Sequence, residues 1–118
     1  MEGDKAALRD GSVFEYCKLN DMVIQAWSVL QFGYFKGNFV GNEQFQALNQ
    51  VLNRLAQKYG VSPSAIAIAW VLRYPAKMQA VVGTTNPKHL IEASQASNFS
   101  LTRKEWYEIY LAAGNDLP

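Results

Sequence analysis

Apolar residues recur along this chain with two different spacings, and the change from one to the other marks its elements. Residues 1–11 are mostly polar and carry no periodic pattern. Ser12-Val13-Phe14-Glu15 has the spacing of a capping box and predicts a short helix to about Lys18. Residues 21–28 contain the run Met22-Val23-Ile24-Gln25-Ala26-Trp27, which reads as a buried strand of a parallel sheet. Residues 29–41 set Gly33, Gly37 and Gly41 among Phe32, Tyr34, Phe35 and Phe39, the composition of an ordered aromatic loop. Residues 43–59 form the clearest helix, with Phe45, Leu48, Val51, Leu52, Leu55 and Tyr59 on one stripe and Gly60 as its stop. Ser62 and Pro63 start another helix, which Pro75 bounds near Tyr74. Residues 65–72 of that helix are apolar all round, so both of its faces require cover. A second strand, residues 78–82, leads to Asn86 as the cap of a helix running from Pro87 to about Ser97. Thr102-Arg103-Lys104-Glu105 is a second capping box, opening a last helix that carries Trp106, Ile109, Tyr110 and Leu111 and ends near Gly114.

Helix, strand, two helices, strand, two helices is the order of a parallel α/β arrangement, in which crossover helices separate the strands. The 118 residues are one domain's worth: a polar segment, residues 1–11, and a folded part, residues 12–118. A net charge of +1 provides no bulk field to recruit nucleic acid or an anionic membrane. No apolar run reaches the roughly 20 residues that span a bilayer, and the charged start lacks a signal-peptide core. Cys17 is the single cysteine, so no disulfide forms within the chain. It has no histidine or second cysteine near it in sequence, so it indicates neither metal nor nucleophile. A cytoplasmic protein is the expectation.

The chemistry concentrates in Val81-Val82-Gly83-Thr84-Thr85-Asn86-Pro87-Lys88-His89. An apolar strand empties into a turn of small residues and then into a helix N-terminus. Free backbone N–H groups and the positive end of the helix dipole make such a place a seat for phosphate.

With its neighbours, that run resembles the C-terminal part of the aldo-keto reductases, which are (β/α)8 barrels using NADPH. The resemblance covers residues 12–118. Ile24-Gln25-Ala26-Trp27-Ser28-Val29-Leu30 is similar to the family's seventh strand and its loop, with Val29 where a proline is usual. The resemblance implies that Trp27 stacks on the nicotinamide ring and that Ser28, Leu30 and Phe32 touch the pyrophosphate. Residues 81–92 look like the eighth strand and the adenine-side phosphate site, in the bacterial form with Gly83-Thr84 in place of Lys-Ser. Thr84, Asn86 and His89 are then the candidates around the ribose 2′-phosphate and Glu92 around the adenine, with Gly83 also among the cofactor-binding residues. The family's lysine and arginine at this site are both missing, which leaves the choice between NADPH and NADH open. Residues 59–63 and 70–75 resemble the family's seventh helical region.

The same resemblance implies a fold of only two strands out of eight, since a complete barrel takes about 200 residues or more. The family's tyrosine, lysine, aspartate and histidine belong to the first half of the barrel, so no catalytic residue is assigned here. Met1 in the region before the seventh strand suits a split or truncated reading frame, and an expression fragment equally. The expected role is the cofactor side of a carbonyl-reducing oxidoreductase that is inactive alone.

Other readings compete. On its residues alone Trp27 reads as core, Ser28 and Thr84 as turn residues, and His89 as an exposed surface histidine. Residues 55–66 have the Gly turn and spacing of a helix-turn-helix, but the second helix shows base edges only apolar groups before Arg73. A third reading is an assembly module. Two strands leave edges unpaired, so the chain is expected to form a homo-oligomer or to join a separate N-terminal barrel half.

Overall fold

The computed structural model describes residues 12–32 and 36–117. The polar segment 1–11, the tip of the aromatic loop at Gly33, Tyr34 and Phe35, and Pro118 lie outside the described residues. The elements are α1 (Ser12–Leu19), β1 (Ile24–Trp27), a 3-10 turn (Glu43–Phe45), α2 (Gln46–Tyr59), α3 (Pro63–Leu72), β2 (Met78–Val81), α4 (Pro87–Ser94), a second 3-10 turn (Gln95–Ser97) and α5 (Arg103–Ala112).

Local chemistry accounts for most of these boundaries. The Ser62 side chain accepts from the Ala65 N–H, and Pro63 occupies the first helical position, where its missing N–H has no cost. Asn86 caps α4 in the same way by accepting from Lys88, and Pro87 follows it. Thr102 and Glu105 form a complete capping box at α5. Gly60 ends α2 at φ 66°, a left-handed conformation that glycine adopts without penalty. Ser12 stands inside α1 as its first residue, not ahead of it. The expected helices at 43–59 and 87–97 are each an α-helix joined to a 3-10 turn.

β1 and β2 pair in parallel, with Ile24, Gln25, Ala26 and Trp27 opposite Met78, Gln79, Ala80 and Val81. The crossover between them runs through α2 and α3. α3 lies at the centre of the molecule: Ala65, Ile66, Ala67, Ile68 and Ala69 are all buried. It packs on β2, α2, α4 and the second 3-10 turn, which is the cover its all-round apolar sequence requires. A buried α3 has no face to lay in a DNA groove. Leu48, Leu52 and Leu55 of α2, Leu101 and Ile109 complete the core. Trp70 and Trp106 stack at 4.7 Å and 9°, and each indole N–H donates to the other's backbone carbonyl at 3.0 Å.

The sheet departs from expectation. Residues 21–28 predict a strand buried on both faces, yet burial alternates along β1 and β2. Ile24, Ala26, Met78 and Ala80 are half-buried, whereas Gln25, Trp27, Gln79 and Val81 form an open face. Trp27 is 69 % exposed, so it is not a core residue. The helices cover one side of the sheet only, and an apolar run cannot report which of its faces has a neighbour.

Candidate functional site

Parallel strands open their carboxyl ends side by side, and ligands of α/β sheets bind outside those ends. Here a cleft of about 460 Å³ forms at that place. One wall is the end of β1 and its continuation from Trp27 to Gln31. The opposite wall runs from Val81 to Thr84 at the end of β2 and on to His89 and Glu92 of α4. Gly37 and Asn38, from the loop returning toward α2, and Ser64, from the first turn of α3, close the remainder.

Seven of the residues singled out in the sequence meet in this cleft: Trp27, Ser28, Leu30, Gly83, Thr84, His89 and Glu92. Phe32 and Asn86 do not line it. The Phe32 ring turns to the core and packs on Phe45 at 5.0 Å. The Asn86 side chain is engaged as the cap of α4.

The backbone around the cleft has specific features. Ser28 has φ 56°, a left-handed conformation that side chains avoid at a cost of about 1–2 kcal/mol. Its carbonyl accepts from Gln31 N–H at 3.0 Å, so the chain turns sharply as it leaves β1. The Thr84 hydroxyl oxygen accepts from Asn86 N–H at 3.1 Å, which leaves its proton to donate outward. Gly83 would carry a Cβ without meeting any atom within 4 Å, so the space beside its backbone is open. Lys88 pairs loosely with Glu92 at 3.9 Å. Among the described residues no group of His, Cys, Asp and Glu side chains is arranged to hold a metal.

Sequence reading missed Gln31, Gly37, Asn38 and Ser64 as lining residues, and Asn49 behind them. Asn49 lies on the buried stripe of α2, four residues after Phe45 and next to Leu48. A polar residue in an apolar stripe was the available signal, because a buried amide must find partners.

Comparison with known proteins bears on the same region. Residues 7–112 match the model of the aldo/keto reductase family. The chain is 37 % identical over 94 residues to a 6-dehydroglucose reductase of Agrobacterium fabrum, covering 78 % of this chain and 30 % of that protein. It is 30 % identical over 95 residues to the oxidoreductase YdhF of Escherichia coli, with 79 % and 30 % covered. The chain thus spans about 30 % of the length of these curated relatives. Among solved structures, the thermostable aldo-keto reductase Tm1743 superposes with a TM-score of 0.64 at 21 % identity, over 91 % of this chain and 34 % of that one. MGS-M4, an aldo-keto reductase from a deep-sea metagenome, superposes with a TM-score of 0.63 at 17 % identity, over 98 % and 39 %. The fold is accordingly part of a (β/α)8 barrel, with β1 and β2 as two adjacent staves.

Proposed function

The chain belongs to the aldo/keto reductase family, and on that footing we propose that its cleft is the phosphate and adenosine side of a site for NADP(H), serving an oxidoreductase that acts on aldehydes or ketones. The observation that carries this reading is the convergence of Trp27, Ser28, Leu30, Gly83, Thr84, His89 and Glu92 on one cleft.

The donor set fits a dinucleotide. The exposed ring of Trp27 offers a flat apolar surface for the nicotinamide. Ser28 and the turn it begins approach the pyrophosphate from β1. Gly83 lets a ligand come close to the backbone just past the end of β2, in the space where a Cβ would otherwise stand. Thr84, through its free proton, and His89 hold the 2′-phosphate, while Asn86 fixes the start of α4 beneath it. Glu92 faces the adenine. When bound, the dinucleotide supplies the hydride. Reduction of a carbonyl needs a proton donor as well. Among the described residues, the titratable side chains lining this cleft are His89 and Glu92, both on α4 and not beside Trp27 on β1. The chain alone is therefore a binding half without turnover.

A second reading rests on the open face of the sheet. Gln25, Trp27, Gln79 and Val81 face outward, and among the described residues each strand pairs along one edge only. That face suits further barrel strands, supplied by another part of the same enzyme or by a second copy of this chain.

The test is a titration of the 118-residue chain with adenosine 2′,5′-bisphosphate, followed by amide chemical shifts. The expected dissociation constant is on the order of a millimolar, about −4 kcal/mol. Shifts should centre on Thr84, Thr85 and Asn86, and Thr84→Val and His89→Ala should each weaken binding. Shifts scattered over the surface, or NADPH turnover with an aldehyde above a contaminant-free blank, would overturn the reading.

A further inference from the structure

The cleft wall formed by Gly37 and Asn38 belongs to neither a helix nor the sheet, so something else must fix it. After β1 the chain departs at Gln31 and returns at Asn38, and the two arms meet in an isolated antiparallel bridge. Phe39 N–H donates to Leu30 carbonyl at 3.0 Å, and Phe32 N–H to Gly37 carbonyl at 3.2 Å. These bonds join the arms to each other but not to the body of the protein.

Phe32 and Phe39 pack on Phe45, and the polar link to the body is Asn49, which is 8 % exposed on α2. Its amide nitrogen donates to the carbonyls of Phe39 at 2.9 Å, Asn42 at 3.1 Å and Phe45 at 3.0 Å. Its amide oxygen accepts from Gly41 N–H at 2.7 Å. One side chain thus bridges backbone groups spread along residues 39–45, its two N–H protons shared among three carbonyls, and sets the height at which the return arm enters α2. No other side chain meets the same demand in the same place. Aspartate keeps the acceptor for Gly41 but turns a second oxygen toward three carbonyls. Alanine removes this partner from all four backbone groups, of which the Phe39 and Asn42 carbonyls keep the Asn42 and Phe45 N–H as donors.

We infer that Asn49 is a positioning residue of the cleft, acting through the return arm to hold Gly37 and Asn38 against the pyrophosphate of the bound dinucleotide. The inference rests on the dinucleotide reading of the cleft and adds a residue with no ligand contact of its own. The arm borders the β1 side of the cleft, with Ser28 and Leu30, whereas in that reading the adenosine end would lie along the wall formed by the end of β2 and α4. Asn49 should therefore matter for the whole dinucleotide and not for its adenosine half.

Two probes separate these effects: NADP⁺ and adenosine 2′,5′-bisphosphate, titrated against the wild-type chain, Asn49→Ala and Asn49→Asp. In the wild type NADP⁺ should bind more tightly than the bisphosphate. In both variants the bisphosphate affinity should stay within about twofold, while NADP⁺ weakens by about three- to tenfold, the value of one or two hydrogen bonds. A parallel loss for both probes would assign Asn49 a general stabilising role and overturn the inference, as would variants that bind NADP⁺ like the wild type. If the wild-type chain binds the bisphosphate but NADP⁺ no more tightly, the positioning role fails while the adenosine site stands. If it binds neither, the dinucleotide reading itself fails and the inference falls with it. Should the variants not fold, amide exchange of the wild-type chain decides. NADP⁺ should slow exchange of the Gly41 N–H that Asn49 accepts, the bisphosphate should not, and equal exchange with both ligands would overturn the inference.

Discussion

Glu105 shows how much one side chain carries in this small core. It sits in the first turn of α5 and is 5 % exposed. Burial pushes its pKa up, but hydrogen bonds from Tyr59 at 2.6 Å, Lys58 at 2.9 Å and Thr102 outweigh that and hold it at about 2. The same bonds tie α2 to α5 and raise the pKa of Lys58 and of Tyr59. Because the folded-state pKa lies below the ordinary value of 4.5, the ionised carboxylate adds stability that is complete above that value and is lost as pH falls toward 2. Glu105→Gln should lower stability at neutral pH by about 1–3 kcal/mol. It should also flatten the fall in melting temperature between roughly pH 5 and pH 2, which thermal unfolding across that range measures. A wild-type chain whose melting temperature is flat over that range would contradict the assignment. The capping box was legible from Thr102 and Glu105 alone. The partnership with Lys58 and Tyr59 was not, because it joins residues 46 and 47 positions apart, and no local spacing encodes that.

Elements were legible to the degree that their own ends and stripes define them. Ser62-Pro63, Asn86-Pro87 and Thr102 start helices through chemistry that lies within a few residues, and the structure realises each of these caps. Gly60 is the matching stop. It holds φ 66°, and a Cβ placed there meets nothing within 4 Å. Gly60→Ala should therefore cost only the backbone term, about 1 kcal/mol, seen as a lower urea midpoint with an unchanged slope. A much larger loss would reveal packing that the structure does not show. The strands were legible as strands but not as half-covered ones. Met22-Val23-Ile24 looks like the interior of a sheet, yet Met22 and Val23 precede β1 and are exposed. Which face of a strand is buried depends on the neighbours it meets, and these come from elsewhere in the fold. Of the cleft, the ends of β1 and β2 could be read from the chain. The return arm at Gly37 and Asn38 could not, since Asn49 places it from the first turn of α2, through bonds that no local spacing encodes.

At the scale of the whole molecule, the helices enclose α3, although Leu90, Ile91 and Leu111 stand exposed on them, and the sheet side is open. α3 is enclosed on all sides, and the two indoles of Trp70 and Trp106 lock α3 to α5. On the other side Trp27 and Val81 stand opposite each other, 69 % and 46 % exposed. Behind them Gln25 donates to Gln79 across the strands at 3.1 Å. In a barrel this face lines the interior and both strand edges are paired. Leaving a large indole in water forfeits about 1.5–3 kcal/mol of burial, a sizeable part of a small domain's margin of about 5–15 kcal/mol. The chain on its own should recover this by association at micromolar concentration, sheet against sheet or edge against edge. Sedimentation should then show species larger than a monomer, and Trp27 emission should shift to shorter wavelength as concentration rises. Val81→Lys places a charge on the open face, opposite Trp27 at its carboxyl end, without touching the helical core, so it should return the chain to a monomer with its helical content intact. A wild-type chain that remains monomeric with a sharp cooperative melt would show that the helical side suffices and that the open face costs the fold less than its exposed area implies.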